Sequence, residues 1–368
     1  MRPVGAFKLS LGKPELAAMR EALESGWLGT GIYTRLFEAA LARETARPLA
    51  LATNSGTAAL HLALKALDVE GGEVITTAVT SVATNHAILY NKAAPVFCDV
   101  EPETGNIDAA KIAPLITRKT RAIVAVHLGQ ACDMDGVLAV ARKRDIPVVE
   151  DVCACHPVGG FYKDHPLGSM GDIGCFSFGR FKGLTTLDGG ALVHSRKRWH
   201  ERLSRLRRLG HGEDEGGMAE GPGGVTELGF HYRMNDLAAA IGLAQLKRRQ
   251  PLQLRLDAVM ARYRSGLEGV AFLEVIEAKS YSRDVRAYAA FKVLGGRRDL
   301  LRRFLMKNGV QVNDSLYPSH LYKLYRPFHR RLPAAEKFCR ETLHLPYYPA
   351  LSDSEVDRVV ETVRRFRK

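Results

Sequence analysis

Short apolar runs alternate with helical patterns over the first two thirds of the 368-residue chain. Seven runs predict β-strands, over residues 48–53, 73–77, 95–100, 120–126, 146–150, 172–178 and 189–194. Between them, apolar residues recur at helical spacing over 58–67 and 136–144. Strands that are apolar throughout and separated by helices are typical of a largely parallel sheet covered on both faces. The pattern therefore predicts an α/β fold.

The pattern changes in the last third of the chain. A glycine-rich stretch, 212–225, is followed by a helix of small residues over 236–249. From about residue 251 onward, short strand-like and helical patterns mix as in a smaller α+β domain. We therefore expect a large domain over 1–250 and a smaller C-terminal domain over 251–368.

The composition is that of an ordinary soluble globular protein, with 46% hydrophobic and 25% charged residues. No apolar run reaches membrane-spanning length, and the N-terminus lacks the apolar core of a secretion signal, so we expect a cytoplasmic protein with no membrane partner. The six cysteines lack the paired spacing of a zinc site and predict reduced core residues, with no metal.

The chain carries a net charge of +13. A basic surplus of this kind is compatible with anionic ligands. Much of it lies in 196–210, where leucines at helical spacing indicate a packed helix with a solvated basic face. Because no aromatic stacking platform or nucleic-acid-binding motif accompanies it, we expect no nucleic-acid partner.

Polar residues stand just after several predicted strands, where ligands bind in sheets of this kind. They are Ser55-Gly56-Thr57 after the first strand, Asp151 after the fifth, and Ser177 and Lys182 at and after the end of the sixth. A strand that leads through Gly56 and Thr57 into a helix offers backbone N–H groups to a phosphate, or only an N-cap to the helix. Asp151 would be stabilised by a protonated ring nitrogen, by a helix N-terminus or by an ion pair.

Lys182 lies in a glycine-lined turn between two apolar runs. A lysine in a partly desolvated pocket is expected to lose its proton more readily and to react as a nucleophile with an aldehyde. A phosphate site, a carboxylate for a ring nitrogen and a lysine for an aldehyde together match pyridoxal 5′-phosphate. The sequence therefore predicts this cofactor.

The sequence resembles the DegT/DnrJ/EryC1/StrS family of sugar aminotransferases, which belongs to fold type I of the pyridoxal-phosphate enzymes. The resemblance covers nearly the whole chain and includes LATNSGTAALHLAL, VVEDVCA, GSMGDIGCFSFGRFKGLTTLDGG and GFHYRMNDLAAAIGLAQL. It implies a mostly parallel central sheet, a small C-terminal domain and a homodimer. It also implies transfer of an amino group from glutamate or glutamine to a keto-sugar, usually nucleotide-linked, in glycan or secondary-metabolite synthesis.

The same resemblance assigns roles to residues. Lys182 is expected to bond to the cofactor's aldehyde and then to act as general base, and Asp151 to pair with the pyridine nitrogen. Gly56, Thr57 and Ser177 are expected to hold the phosphate.

Three cofactor-contacting positions depart from the family pattern. Ser81 stands where an aromatic ring usually stacks on the cofactor, and Ala154 where Gln or His usually approaches the ring and its hydroxyl. His231 stands where an asparagine commonly reaches the partner subunit's phosphate, and the glycine-rich stretch 212–225 is a second candidate for that contribution. His86 or His156 would replace the missing contacts, unless both are structural residues.

Two further residues are candidates for substrate binding. His320 lies in a segment that approaches the active site in relatives. Arg180, inside the lysine loop, either meets a substrate anion or points outward. Two other functions stay open: a sugar dehydratase of the same family, which usually has histidine at the lysine position, and a non-catalytic protein that binds the cofactor or a sugar nucleotide.

Overall fold

The structure is a computed structural model, and it describes residues 3–155, 159–214, 217–218, 224–283, 286–313 and 316–367. Its helices are α1 (Lys13–Glu24), α2 (Ile32–Glu44), α3 (Gly56–Ala66), α4 (Val82–Tyr90), α5 (Met134–Arg142), α6 (Lys197–Leu206), α7 (Asp236–Lys247), α8 (Arg249–Leu267), α9 (Arg298–Lys307), α10 (Pro333–Glu341) and α11 (Asp353–Arg364). Its strands are β1 (Leu49–Thr53), β2 (Glu73–Thr77), β3 (Ala94–Cys98), β4 (Thr120–Val126), β5 (Val148–Asp151), β6 (Phe161–Tyr162), β7 (His165–Pro166), β8 (Ile173–Ser177), β9 (Gly190–His194), β10 (Glu213–Asp214), β11 (Gly217–Met218), β12 (Leu273–Val275), β13 (Ser282–Arg283), β14 (Ala289–Val293) and β15 (Thr342–Leu345).

A seven-stranded sheet in the order β1-β9-β8-β5-β4-β2-β3 forms the centre of the molecule. Its strands correspond to the seven predicted runs, with ends shifted by at most two residues. Neighbours pair in parallel from β8 to β3, whereas β9 runs antiparallel to both β8 and β1. The predicted α/β fold with a largely parallel sheet is confirmed.

Both faces of this sheet are buried. Along β4, Ile123 packs into one apolar cluster and the next residue, Val124, packs into another on the opposite face. Because successive side chains of a strand point to opposite faces, a strand covered on both sides has to be apolar at every position. This explains the unbroken apolar runs of the sequence.

The direction of β9 follows from the short link that precedes it. Residues 178–189 connect β8 to β9 without a helix, so the chain lacks the crossover that a parallel neighbour requires and returns antiparallel. Lys182 lies in this link.

The C-terminal part of the chain has its own three-stranded sheet, β12-β14-β15, and its own apolar cluster with α8, α9 and α11. Val4 joins that cluster and pairs with Val310, so the N-terminal segment packs against the C-terminal part. The predicted boundary at residue 250 falls close to the junction of α7 and α8, and a division into domains there stays a prediction. Within the described ranges, no helix is both long enough and apolar enough to cross a membrane.

Candidate active site

A cavity of about 830 Å³ lies at the carboxyl ends of the parallel strands, between the large sheet and the C-terminal part. From the sheet side it is lined by five of the residues expected to form the site, Ser81, Asp151, Ala154, Arg180 and Lys182. From the other side it is lined by Tyr288, Asn313, Tyr317, Tyr322 and His344. The volume is at the upper end of the range of small-molecule sites and leaves space for a cofactor together with a substrate.

Asp151 is the last residue of β5 and is 1% exposed. One carboxylate oxygen accepts a hydrogen bond from the backbone N–H of Cys153 at 2.9 Å. The other accepts one from the hydroxyl of Thr84, in the first turn of α4, at 2.6 Å. A carboxylate has about four acceptor positions, so Asp151 can accept a further donor from within the cavity.

Lys182 reaches back from its loop to the segment that follows β5. Its backbone N–H donates to the carbonyl of Gly179 at 2.9 Å, which forms a tight turn. Its amine donates to the carbonyl oxygen of Cys153, two residues beyond Asp151. The amine and the Asp151 carboxylate therefore face the same cavity, on one side of the sheet.

The charge state of Lys182 differs from the sequence-based expectation. Burial lowers the pKa of the Lys182 amine, but electrostatic interactions with Tyr288, Cys153 and Asp151 outweigh burial and hold that pKa above its usual value. The expectation that Lys182 loses its proton more readily is wrong for this structure. The physical reason is the set of groups around the amine, Tyr288 first and then Cys153 and Asp151, which together favour the ammonium form more than burial disfavours it.

A group of donors lies next to the cavity, at the start of α3. The backbone N–H groups of Gly56 and Thr57 belong to the first turn of α3 and have no acceptor within the helix. Ser177, at the end of β8, packs closely against Gly56. A Cβ atom added to Gly56 would stand only 2.7 Å from the Ser177 Cβ. Two N–H groups and one hydroxyl thus meet where a helix N-terminus favours an anion.

The small residues Ser81 and Ala154 both line the cavity. Ser81 is the N-cap of α4 and accepts a hydrogen bond from Ala83 at 3.3 Å. The carbonyl oxygen of Ala154 accepts a hydrogen bond from Gly129 at 3.0 Å. Both residues are located where a cofactor contact is expected, but neither offers an aromatic or amide side chain.

Arg180 lies at the exposed side of the cavity. Its guanidinium stands 4.6 Å from the centroid of the neighbouring Phe181 ring, whose side chain is 58% exposed. The Arg180 side chain is exposed and also lines the cavity, and its contact with a substrate anion stays a prediction.

The structure does not bring His320 or His231, the two histidines expected to contact substrate or cofactor, to this cavity. His320 is completely buried against Phe97, with one ring nitrogen 3.5 Å from a carboxylate oxygen of Glu336. His231 is exposed and lies beside Arg233. Neither is among the described residues that line the cavity. The position of His320 within an apolar cluster argues against a direct substrate contact, and a contact from His231 to a second subunit stays a prediction.

Two histidines, His86 and His156, were the candidates to replace the contacts that Ser81 and Ala154 do not provide. His86 stacks on Tyr325 with ring centroids 6.0 Å apart and is not among the described lining residues. His156 lies outside the described residues, as do seven positions of the glycine-rich stretch 212–225.

Sequence reasoning did not identify Thr84, Tyr288 and His344. Thr84 stands three residues after Ser81 at the start of a helix, so helical spacing places both on the same side of α4. This spacing could have identified Thr84 from the sequence. Tyr288 stands just before β14 and His344 lies in β15, and the two rings stack with centroids 4.8 Å apart. No local pattern in the sequence connects them.

The site can therefore accommodate pyridoxal phosphate. Asp151 can accept from its ring nitrogen, Lys182 can reach its aldehyde, and the start of α3 with Ser177 can bind its phosphate. All three groups lie at the same edge of the sheet.

Comparison with known proteins agrees with this interpretation. The sequence profile described as the DegT/DnrJ/EryC1/StrS aminotransferase family matches residues 10–364. The chain is 35% identical to the spore coat polysaccharide biosynthesis protein SpsC of Bacillus subtilis (strain 168), over 96% of this chain and 94% of that protein. It is 32% identical to GDP-perosamine synthase of Escherichia coli O157:H7, over 100% of this chain and 99% of that protein.

Solved structures extend the likeness to the fold. The aminotransferase TlmJ from Streptoalloteichus hindustanus superposes with a TM-score of 0.91 at 33% identity, over 98% of both chains. The PLP form of Spr1654 from Streptococcus pneumoniae superposes with a TM-score of 0.89 at 29% identity, over 98% of this chain and 96% of that one. The chain belongs to the DegT/DnrJ/EryC1/StrS aminotransferase family, and it is a pyridoxal-phosphate-dependent sugar aminotransferase.

Proposed function

We propose that this enzyme transfers an amino group from glutamate or glutamine to the keto carbon of a nucleotide-linked sugar, in the synthesis of a glycan or secondary metabolite. The observation that carries the proposal is the convergence of Lys182 and Asp151 on one large cavity. The names of two relatives, GDP-perosamine synthase and a spore coat polysaccharide biosynthesis protein, support the class of substrate.

The proposed roles follow from the contacts of each side chain. The cofactor, when bound, supplies an electron sink for the charge left when the amino donor loses its α-proton. Asp151, oriented by Thr84 and Cys153, accepts from the ring nitrogen and keeps that nitrogen protonated. Lys182 holds the cofactor and then moves the proton between the α-carbon of the donor and the carbon of the former aldehyde.

Anion binding is assigned to two places. Gly56, Thr57 and Ser177 bind the cofactor phosphate through two backbone N–H groups and a hydroxyl. Arg180, at the exposed side of the cavity, binds a carboxylate of the donor or a phosphate of the sugar nucleotide. The net charge of +13 favours the approach of either anion.

The functional unit is proposed to be a homodimer in the cytoplasm. Exposed apolar side chains are concentrated on α1, on α2 and on the link between these helices: Leu16, Leu23, Trp27, Leu28, Ile32 and Leu36. An apolar surface of this kind favours contact with a second subunit. Phe181 and Leu187, on either side of Lys182 in the sequence, are also exposed. A second subunit that covered them would help to enclose the site, and the His231 side chain of that subunit would then lie close to the cavity.

The test is a pair of half-reactions. Glutamate or glutamine should bleach the visible absorption band of the enzyme with bound pyridoxal phosphate. The enzyme in the resulting amine form should convert a keto-sugar nucleotide to an amino sugar, detected by mass spectrometry. The Lys182→Ala variant should do neither.

Other outcomes would contradict the proposal in identifiable ways. Cofactor binding without bleaching by any amino donor would identify a non-catalytic binding protein. A deoxygenated product in place of an aminated one identifies a dehydratase.

A further inference from the structure

The environment of the Lys182 amine determines which groups lie beside the reacting end of the cofactor. In pyridoxal phosphate, the aldehyde and a ring hydroxyl occupy adjacent ring carbons. A nitrogen bonded to the aldehyde carbon is therefore within hydrogen-bond distance of the ring oxygen. A polar side chain that lies beside the Lys182 amine is therefore a candidate to reach that oxygen.

The segment after β5 leaves this position without a polar side chain. The Lys182 amine donates to the carbonyl of Cys153, so it lies at the peptide unit that joins Cys153 to Ala154. Ala154 lines the cavity but has only a methyl group. A hydroxyl or amide has to come from another element if the ring oxygen is to have a donor from this subunit.

Tyr288 lies at this place. Its ring carbon Cδ2 is 3.9 Å from the point where a Cβ on Gly129 would stand, and Gly129 donates its backbone N–H to Ala154. Tyr288 also interacts electrostatically with Lys182. Its ring is therefore next to the Ala154 segment and its hydroxyl is within electrostatic range of the amine.

The Tyr288 side chain is held in this orientation by the small sheet. Its ring stacks on His344 at a centroid distance of 4.8 Å and an interplanar angle of 9°. Ala290 is paired with His344, and Tyr288 stands two residues before Ala290, directly ahead of β14, so the alternation of the strand leads its ring to the face on which His344 projects. The two other tyrosines of the cavity, Tyr317 and Tyr322, pack on each other and are 48% and 40% exposed.

We infer that the Tyr288 hydroxyl donates a hydrogen bond to the cofactor's ring oxygen beside Lys182, a contact that Ala154 cannot make. The inference rests on the cofactor placement proposed above. Tyr288 is then a cofactor-binding residue, and His344 is a positioning residue that acts through it. The contact joins the C-terminal part to the cofactor, which is held by groups of the large sheet.

The pH dependence of the visible absorption band measures this contact. When the nitrogen that links Lys182 to the cofactor gives up its proton, the ring oxygen loses that proton as a hydrogen-bond partner. A hydrogen bond from the Tyr288 hydroxyl stabilises the ring oxygen after this loss, so the linking nitrogen gives up its proton at a lower pH. The Tyr288→Phe variant should therefore raise the pH midpoint of the band by about one unit, and it should weaken pyridoxal phosphate binding.

A double-mutant cycle tests whether Ala154 and Tyr288 share this position. Ala154→Gln should lower the midpoint clearly in the Tyr288→Phe background and by less than half as much in the wild-type enzyme. Tyr322→Phe, on the same cavity, should leave the midpoint unchanged.

Two results would overturn the inference. One is a Tyr288→Phe enzyme that binds the cofactor with an unchanged midpoint, and the other is an equal effect of Ala154→Gln in both backgrounds. If Tyr288→Phe folds poorly, Ala154→Gln in the wild-type background alone decides the matter, because a shift as large as one unit there would mean that the oxygen lacks a donor and would overturn the inference. A wild-type protein with no visible band at all would instead contradict the proposed function itself.

Discussion

The Asp151 carboxylate depends on a hydroxyl from a different element. Thr84 donates to it at 2.6 Å from the first turn of α4, and both residues are buried. A hydrogen bond to a charged group contributes about 1.5–3 kcal/mol, and a buried carboxylate that loses a donor also bears a desolvation cost. Thr84 is therefore expected to stabilise the fold as well as to orient Asp151.

The Thr84→Val variant tests this role. It keeps the shape of the side chain and removes the donor, so the free energy of unfolding at neutral pH should fall by about 2 kcal/mol, measured by urea denaturation. Thr84→Ser retains the hydroxyl and should lose less than half of that amount. Equal stability of the Val variant and the wild-type protein would show that Asp151 does not need this donor.

Gly56 provides a second test at the scale of single residues. An added Cβ would stand 2.7 Å from the Ser177 Cβ and 3.1 Å from the Cys153 Sγ, so Gly56→Ala should push apart the groups assigned to the phosphate. We expect pyridoxal phosphate to bind on the order of tenfold more weakly, in an equilibrium titration. Gly12→Ala is the control, because its Cβ would meet no atom closer than 3.8 Å. Undiminished binding by Gly56→Ala would contradict the assignment of the phosphate site.

At the scale of elements, α7 anchors the two N-terminal helices through buried carboxylates. Asp236, its first residue, accepts from the backbone N–H groups of Gly31 and Thr34 at 2.8 and 2.9 Å, at the start of α2. Near its other end, Gln245 donates at 2.7 Å to Glu15 of α1. The apolar surface of α1 and α2 that we assign to the dimer is thus fixed in place by polar contacts to α7.

The contacts of Glu15 predict a pH dependence of stability. Burial raises the pKa of the Glu15 carboxyl, but hydrogen bonds from Gln245, Arg248 and Gly12 outweigh it and hold the pKa below its usual value. A folded-state pKa below the unfolded one gives stability that is complete above the unfolded value, near 4.5, and that is lost as the pH falls through the folded value.

The difference in melting temperature between wild type and Glu15→Gln should therefore be largest near neutral pH. It should shrink steadily below about pH 4.5. Thermal scans of both proteins from pH 7 to pH 3 measure it. A difference that grows on acidification would contradict the assignment.

The elements of the large sheet were predictable because their apolar runs are long and their ends carry distinctive residues. Lys182 and Asp151 were found for the same reason, since strand position alone brings them to one edge. The return of β9 could not be read from periodicity, which carries no strand direction. The charge state of Lys182 and the Tyr288–His344 pair depend on contacts between residues distant in sequence, and the burial of His320 depends on how the C-terminal part packs on Phe97.

At the scale of the whole molecule, the cavity has one wall from the large sheet and one from the C-terminal part. The N-terminal segment contacts both walls, and on the C-terminal side Val4 pairs with Val310. Phe7 adds to this link, packing edge to face on Phe181 of the lysine loop, with ring centroids 5.3 Å apart. A change in how the C-terminal part packs would therefore also alter the surroundings of Lys182.

The proposed dimer is testable with a charge on the apolar surface of α1 and α2. Ile32 is 52% exposed at the start of α2, and Ile32→Arg should shift the protein from dimer to monomer in sedimentation experiments, because an unpaired charge is costly to bury. Leu254→Arg is the matched control, since Leu254 is 62% exposed on α8, and it should leave the dimer intact. A dimer that survives Ile32→Arg would place the interface elsewhere.

The central claim is that Lys182 is the residue that bonds to pyridoxal phosphate. Borohydride reduction of the loaded enzyme, followed by peptide mapping with mass spectrometry, tests it most directly. The account predicts that the reduced cofactor is attached to the peptide that contains Lys182, and that Lys182→Ala leaves no labelled peptide. Label on another lysine, or persistent labelling of the Lys182→Ala variant, would contradict it.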